Sequence, residues 1–177
     1  MPRPRFPKFI AKGLLEEFSN IVLCGNPTRL VIGSREIVVF RDDLYQKLDR
    51  CRAVKTASTQ ESVGDLRSSE DLVKTVMDQS HLCPLPLNIQ PTFWNRDHGL
   101  RLYPLPNLLV LCDFSFGTGS SWDWTYMGSQ CVNPGSFSSP EDESSFEGSY
   151  MIYDPVEDQA TVHSLSSLSS QDKEVAS

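Results

Sequence analysis

The stretch LLVL at residues 108–111 is apolar at every position, and CD at residues 112–113 follows it. A strand with one face in solvent alternates apolar and polar residues, whereas a strand covered on both faces reads as an unbroken apolar run. The stretch therefore predicts a central strand with a layer of structure on each side. Asp113 marks its carboxyl end, which is where polar chemistry gathers in α/β sheets.

Shorter runs on both sides of this stretch predict the rest of the domain. Predicted strands are Ile21–Cys24, Arg29–Ile32, Glu36–Phe40, Arg101–Tyr103, Gln130–Asn133, Tyr150–Tyr153 and Ala160–His163. Predicted helices are Phe9–Phe18, Asp42 to about Leu48, and a segment from Ser69 through Met77 that must end before Cys83-Pro84. Gly33-Ser34 separates the β-branched runs of two of these strands, Arg29–Ile32 and Glu36–Phe40, and predicts a hairpin between them. Arg50–Ser68 and Gly117–Ser129 are predicted loops. Many short strands with a few helices between them predict an α/β fold, an α+β sandwich.

The length and composition fit one globular domain. The chain has 177 residues, of which 39% are hydrophobic and 22% charged, enough for a single core but short for two. We expect residues 1–8 to be an extended proline-rich N-terminus, residues 9–163 to form the domain, and residues 164–177 to be a disordered serine-rich tail.

The net charge of −7 comes from the C-terminal region. Nine acidic residues and one lysine follow Ser138, which leaves 14 acidic and 15 basic residues before it. Because the body is nearly neutral, composition alone predicts no strong autonomous binding to DNA.

Cysteine usage and apolar patterning indicate an intracellular protein. The five cysteines are an odd number without CxxC spacing, which favours reduced thiols in a reducing compartment. No apolar run approaches the roughly 20 residues that span a bilayer, and the basic N-terminus lacks the apolar stretch of a secretory signal. His81 and Cys83 have no second ligand pair nearby, so no metal and no other cofactor is predicted.

Two segments have the form of metal-binding loops without their full ligand sets. Asn26 and Pro27 follow an apolar run, and His81 and Cys83 follow a helical stretch. In a two-metal hydrolase, such positions carry Asn, His and carboxylate ligands that hold the ions and activate water. Proline supplies no lone pair, so each segment keeps one ligand type and lacks its neighbour. A strand-ending turn at Asn26 and a hydrogen-bonded structural histidine at His81 are the alternative interpretations.

Aromatic residues gather in or beside the predicted loops. They are candidates for a partner interface, because Trp, Tyr and Phe are enriched at protein contacts. Ordinary core and edge packing is the alternative. The candidates are Phe93, Trp94, Trp122, Trp124 and Tyr126.

Several segments together resemble the B-subunit family of eukaryotic replicative DNA polymerases, most closely the epsilon branch. Their order and spacing match the family from about Pro4 to Tyr153. The segments are Asn26–Leu30, Arg35–Leu44, His81–Leu87, Trp94, Leu100–Val110 and Cys131–Phe137.

This resemblance implies the C-terminal part of a degenerate calcineurin-like metallophosphoesterase domain, which in the family normally follows an OB-fold domain. It implies a non-catalytic accessory subunit that binds the C-terminal domain of the DNA polymerase epsilon catalytic subunit in the nucleus. Contact with replicative helicase components, and with DNA through the complex, is implied as well. Asn26, Pro27, His81 and Cys83 would then be vestigial metal-site positions.

The chain also departs from the family pattern. The OB fold and the first half of the phosphoesterase domain are missing from this sequence, and Ser80 stands where family members often have glycine. Two other functions are compatible with parts of the sequence. A metal-dependent phosphodiesterase or nuclease would need His or acidic ligands at Pro27 and Cys83. A stand-alone adaptor would use the acidic, serine-rich tail.

Overall fold

The computed structural model describes residues 1–51, 66–115, 121–137 and 147–166. Helices and strands alternate along these ranges. In chain order they are α1 (Lys12–Glu17), β1 (Thr28–Ile32), β2 (Arg35–Arg41), α2 (Leu44–Arg50), α3 (Leu66–Asp78), a 3-10 helix (Trp94–Leu100), β3 (Leu108–Cys112), β4 (Trp122–Tyr126), β5 (Ser129–Asn133), β6 (Glu147–Asp154) and β7 (Gln159–Ser166).

The central element is a five-stranded mixed sheet with the order β1-β2-β3-β5-β4. Strands β2, β3 and β5 run parallel, and β1 and β4 pair antiparallel at the two edges. Strand β3 lies in the middle, and its first four residues are all buried. The prediction of a central strand covered on both faces is confirmed.

Each face of the sheet carries its own apolar core. Alternate residues of β2, β3 and β5 point to opposite faces, as strand geometry requires. The helical face buries Val38, Phe40, Leu109, Leu111 and Cys131 against α2 and α3, including Leu44, Leu72, Val73, Val76 and Met77. The opposite face buries Ile37, Leu108, Val110 and Val132 against the β6–β7 hairpin at Ala160, Met151, Tyr153 and Val162. The three layers confirm a mixed α/β fold.

Two hairpins of the sheet are formed by local turn chemistry. Gly33 has a φ of 62° between β1 and β2, which confirms the hairpin predicted there. Met127 and Gly128 have φ values of 51° and 79°, and two successive positive φ angles define the type I′ turn that suits a tight hairpin. The prediction of a loop over Gly117–Ser129 is therefore wrong for its second half, which contains β4. The alternation of Trp122, Trp124 and Tyr126 with polar residues is the strand signal that was missed.

Two other strand predictions are wrong. Ile21–Cys24 is irregular, and Val22 is 80% exposed. A strand needs a hydrogen-bonded neighbour, and the pairing found here is an isolated bridge between Arg3 and Asn26. Arg101–Tyr103 is limited to a single bridge between Arg101 and His81. Pro104 follows and has no N–H with which to extend a ladder.

The helix predictions hold with shifted ends. Helix α1 is shorter than predicted, and α3 begins at Leu66, three residues before its predicted start, and ends at Asp78. The remainder of the predicted Arg50–Ser68 loop (residues 52–65) and residues 167–177 of the predicted tail lie outside the described ranges. Within those ranges, every helix is too short or too polar to cross a bilayer.

The N-terminal residues are tied to the domain at two places. The Met1 ammonium donates to the Pro91 carbonyl at 2.9 Å, and the Phe93 N–H donates to the Met1 carbonyl at 3.0 Å. Arg3 then exchanges two backbone hydrogen bonds with Asn26. Gly25 permits this approach, because a Cβ at that position would lie 2.9 Å from the Arg3 carbonyl oxygen.

Candidate functional site

The Asn26 side chain is committed to the backbone of β2. Its Oδ1 accepts the Arg41 N–H at 2.9 Å, and its Nδ2 donates to the Arg41 carbonyl at 2.7 Å. These two bonds extend the edge of the sheet as a neighbouring strand would. The peptide bond to Pro27 is cis. Because both polar atoms of the amide have partners, Asn26 acts as a structural residue here.

His81 has protein partners on both ring nitrogens. Nδ1 accepts the Cys83 N–H at 3.0 Å, so the neutral ring carries its proton on Nε2, which lies 3.2 Å from Asp97 Oδ1. The hydrogen bond from His81, together with Arg101, holds the pKa of Asp97 below its ordinary value despite some burial. The ring therefore links the end of the α3 segment to the 3-10 helix, and neither nitrogen is left for an ion.

The Cys83 thiol is not suited to bind a metal or to act as a nucleophile. The side chain is buried in the helical-face core, and burial raises the pKa of its thiol to about 11, with a further contribution from Asp42. A metal ligand or nucleophile must be the thiolate. At neutral pH the thiol stays protonated, so Cys83 behaves as a small apolar residue.

The polar residues at the ends of the parallel strands, here termed the carboxyl edge, hold one another in place. Asp113 accepts the Tyr45 N–H at 2.8 Å and the Ser115 N–H at 2.7 Å, and so fixes the first turn of α2 to the end of β3. Asn133 donates to the Asp113 carbonyl at 2.8 Å. The carboxyl edge comprises Asp42, Asp43, Asp113 and Asn133.

The two remaining members of the carboxyl edge are also paired. Both Asp42 oxygens lie 2.6 Å from Lys47 Nζ. Asp43 pairs with Arg41 at 2.7 Å. Burial opposes ionisation of Asp43, but the hydrogen bonds from Arg41 and the Phe114 N–H prevail and lower its pKa. Each carboxylate is thus balanced by a protein donor.

These residues do not assemble into a metal centre. Among the described residues, no group of three or more His, Cys, Asp or Glu side chains converges in a way that could hold an ion. Asn26 bonds to Arg41, whereas His81 bonds to Asp97 and Cys83. The structure therefore does not bring the two predicted segments together as one donor set.

The five aromatic candidates separate into two groups. Trp122 is buried, and Trp124 and Tyr126 are half-buried against the helical face. Trp124 Nε1 donates to Ser69 Oγ at 2.9 Å, and the Tyr126 hydroxyl donates to Asp78 at 2.8 Å. These three residues dock β4 on α3. Phe93 and Trp94 are different, because they are 62% and 77% exposed.

Sequence reasoning missed a cleft of about 560 Å³ beside Asn26. The N-terminal segment forms one wall and the 3-10 helix another. We term it the arginine cleft, because three of its lining side chains are guanidinium groups. Its lining residues are Pro2, Arg3, Pro4, Asn26, Pro27, Arg29, Arg96, His98 and Gly99. These arginines lie far apart in the sequence, so no local sequence motif indicates the cleft.

The N-terminal third also carries a large exposed apolar surface. Helix α1 contributes no buried residue. Leu14 and Phe18, four residues apart in and just after this helix, are each 45% exposed. We refer to the whole set as the N-terminal apolar surface. It comprises Phe6, Phe9, Ile10, Leu14, Phe18 and Val22.

Comparison with known proteins gives a consistent result. The sequence model of the DNA polymerase alpha/epsilon B-subunit family matches residues 1–118. The chain is 41% identical over 138 residues to the DNA polymerase epsilon B subunit of Arabidopsis thaliana, an alignment that covers 78% of this chain and 25% of that protein.

Two further relatives agree. Identity is 34% over 165 residues with the DNA polymerase epsilon B subunit of Saccharomyces cerevisiae, covering 77% of this chain and 24% of the relative. It is 35% over 158 residues with human DNA polymerase epsilon subunit 2, covering 89% and 28% respectively. The chain thus spans about a quarter of the length of the curated relatives it matches.

Proposed function

We propose, because the chain belongs to the DNA polymerase alpha/epsilon B-subunit family, that it acts as a non-catalytic accessory subunit of the DNA polymerase epsilon complex. The relatives named as epsilon subunits support the choice of complex. The work of such a subunit is assembly in the nucleus during DNA replication. Any polymerase chemistry then belongs to the catalytic subunit.

The observation that carries the non-catalytic part of this proposal is the state of the candidate metal ligands. A two-metal hydrolase needs several side chains free to bind ions and a water between them. Here Asn26 is bonded to the β2 backbone, His81 has partners on both nitrogens, and Cys83 is a buried thiol. We take the domain to be the C-terminal part of a degenerate calcineurin-like phosphoesterase domain. The parallel strands with a polar carboxyl edge support that view.

The partner we propose is the C-terminal domain of the epsilon catalytic subunit. The N-terminal apolar surface supports a protein contact, because six large apolar side chains within residues 6–22 are exposed, and exposed apolar side chains that cluster mark protein interaction sites. Phe93 and Trp94 remain further candidates for a protein contact. Replicative helicase components, and DNA reached through the complex, are the remaining proposed partners.

Co-expression with the C-terminal domain of the epsilon catalytic subunit, followed by size-exclusion chromatography, tests this proposal. We expect the two chains to elute as a stoichiometric complex. A double change of Phe9→Asp and Leu14→Asp places two charges on the N-terminal apolar surface, and we expect it to abolish co-elution. Val156→Asp is the matched control, because Val156 is 86% exposed in the β6–β7 turn.

The outcomes separate the alternatives. Separate elution of the unmodified chains would contradict the proposed contact. Co-elution that survives Phe9→Asp with Leu14→Asp would place the contact elsewhere on the chain. A stand-alone adaptor would elute alone with full solubility. Its proposed serine-rich tail lies mostly in residues 167–177, outside the described ranges.

A further inference from the structure

The arginine cleft concentrates positive charge on a chain whose body is nearly neutral. Arg3, Arg29 and Arg96 line it together with His98, and none of the described residues that line it is acidic. Clefts lined by one sign of charge focus the electrostatic field and raise the local concentration of counter-charged ligands. The near-neutral sum of charges conceals this local basic site.

Two of the three guanidinium groups are available to a ligand. Arg29 is already held, because it pairs with Glu36 at 2.6 Å and donates to the Arg101 carbonyl. Arg3 and Arg96 are exposed, and neither side chain has a hydrogen-bond or ionic partner among the described residues. Each guanidinium offers five N–H donors in a planar fork that matches phosphate oxygens. The cleft therefore presents two guanidinium groups that can bind phosphate.

The backbone beneath these groups is fixed. Arg3 exchanges backbone bonds of 2.8 and 2.9 Å with Asn26, and Asn26 is itself locked to Arg41 of β2. On the other wall, a Cβ at Gly99 would lie 3.8 Å from the Pro2 side chain, so the 3-10 helix abuts the N-terminal segment. Both arginine side chains thus project from backbone that already has hydrogen-bond or packing partners, which limits the backbone ordering that binding would require.

Two exposed aromatic residues lie beside the cleft, Phe93 and Trp94. Phe93 is the residue that precedes the 3-10 helix. Its N–H donates to the Met1 carbonyl at 3.0 Å, next to Pro2 and Arg3 of the cleft, and its carbonyl accepts the Arg96 N–H at 2.8 Å. Phe93 and the adjacent Trp94 are largely exposed. Rings beside a basic groove are how proteins stack the unpaired bases of single strands.

We propose that the arginine cleft binds single-stranded DNA, with Arg3 and Arg96 on backbone phosphates and Phe93 stacked on a base. A duplex keeps its bases paired and stacked, so it would leave the Phe93 ring without a partner. An acidic or phosphorylated peptide would use the arginines but not the ring. This binding goes beyond the proposed accessory function, since the chain itself contacts DNA instead of reaching it through the complex.

Fluorescence anisotropy with labelled oligo-dT and the full 177-residue chain tests the cleft. We expect micromolar binding at low salt that weakens as salt rises. Two phosphate contacts on a single strand predict a slope of log K against log salt of about −1.4. Arg96→Gln removes one contact and should reduce the slope by about 0.7. Lys12→Gln is the matched control, because it removes the same charge from α1, outside the cleft.

Stacking is tested separately with Phe93→Leu. We expect this change to weaken binding of oligo-dT about tenfold, within the range measured for aromatic-to-base stacking. An abasic oligonucleotide of equal length should bind the unmodified and Phe93→Leu chains equally. Circular dichroism confirms that each variant is folded.

Several outcomes would overturn the proposal. These are no binding of oligo-dT at low salt, equal losses for Arg96→Gln and Lys12→Gln, equal binding of abasic and normal strands, and a phosphoserine peptide that binds as tightly as DNA. Failure here is distinct from failure of the accessory function, because this experiment contains no catalytic-subunit fragment. Co-elution of Phe93→Leu with that fragment separates the two roles proposed for Phe93: normal co-elution leaves base stacking as its role, and loss of co-elution would assign Phe93 to the protein contact.

Discussion

The carboxyl edge and the arginine cleft lie next to each other, yet the carboxylates of the edge and two of the three arginines of the cleft are in opposite states. At the carboxyl edge, Asp113 is only 2% exposed and accepts two backbone N–H groups. In the cleft, Arg3 and Arg96 are exposed and unpaired among the described residues. Asn26 marks the boundary, because its side chain bonds to the sheet while it also lines the cleft.

This difference separates structural from functional polarity. A buried polar group without a partner costs about 1–3 kcal/mol, so the edge must satisfy its own donors and acceptors. A group that already has its partners offers little to an ion or a substrate. Exposed, unpaired cations keep their capacity to bind. At the carboxyl edge the polar side chains therefore already have protein partners, whereas the cleft beside it presents two arginines without a partner among the described residues.

The largest expected effect comes from Asp113→Asn, which removes a buried carboxylate from the carboxyl edge. The amide would keep one acceptor and turn an NH₂ group toward either the Tyr45 or the Ser115 N–H. Losing a charged acceptor and leaving a buried donor unpaired should lower the free energy of unfolding by about 3 kcal/mol. Urea denaturation followed by circular dichroism measures this.

Glu17→Gln is the control for Asp113→Asn, because Glu17 is exposed on α1. Exposed substitutions of this kind change stability by less than about 0.5 kcal/mol. If Asp113→Asn lowered the free energy of unfolding by no more than this, the Asp113 carboxylate would not be structural. The carboxyl edge would then not differ from the arginine cleft in the way described above.

Much of the fold follows from the sequence where a local pattern is sufficient. Unbroken apolar residues located β3, and Gly33 between β-branched runs located the β1–β2 hairpin. The sequence alone did not reveal what depends on distant partners. Ile21–Cys24 has the apolar character of a strand, but a strand forms only with a neighbour. Trp122, Trp124 and Tyr126 recur with a period of two, which indicates a strand and not the predicted loop.

The candidate site was predictable in its residue types and not in its connections. Sequence spacing singled out Asn26 and His81, and only the structure shows that their polar atoms are all engaged. The arginine cleft unites residues separated by more than 90 positions, Arg3 and Arg96. Such a juxtaposition arises from tertiary packing, and no local window of sequence contains it.

An intermediate effect is expected for Asn26→Asp, which tests the boundary residue. A carboxylate is a better metal ligand than an amide, so a metal-binding role would tolerate or favour this change. The structural role predicts the reverse. The new carboxylate oxygen would face the Arg41 carbonyl in place of Nδ2, which lies 2.7 Å from it. We expect a loss of about 2 kcal/mol in unfolding free energy.

Thermal melts with and without millimolar Mn²⁺ read out both roles of Asn26. We expect Mn²⁺ to leave the melting temperature of either protein unchanged. Asn95→Asp is the matched control, because Asn95 is exposed on the 3-10 helix. A rise in melting temperature with Mn²⁺ for Asn26→Asp would reopen the metal-site interpretation.

The smallest expected change in unfolding free energy concerns Asp97, which joins His81 to the 3-10 helix at the wall of the cleft. The pKa of Asp97 is lowered below its ordinary value of 3.8, chiefly by the hydrogen bond from His81. A lowered pKa means that folding favours the ionised carboxylate. Its contribution is therefore complete above the ordinary value and is lost as pH falls through the lower folded-state pKa. Asp97→Asn abolishes that contribution at every pH.

The stability gap between the unmodified chain and Asp97→Asn should accordingly shrink on acidification. Because the group is partly solvated, we expect the gap near pH 7 to be below about 1 kcal/mol. Urea melts of both proteins at matched pH values measure the gap itself, so the other carboxylates that titrate in this range cancel. Repeating the pair in a His81→Gln background should reduce the gap, since His81 is the main cause of the shift. A stability gap that stays constant to pH 3, or widens, would mean that Asp97 stabilises the cleft wall by packing alone. The charge and hydrogen bonds of Asp97 would then contribute nothing to that wall.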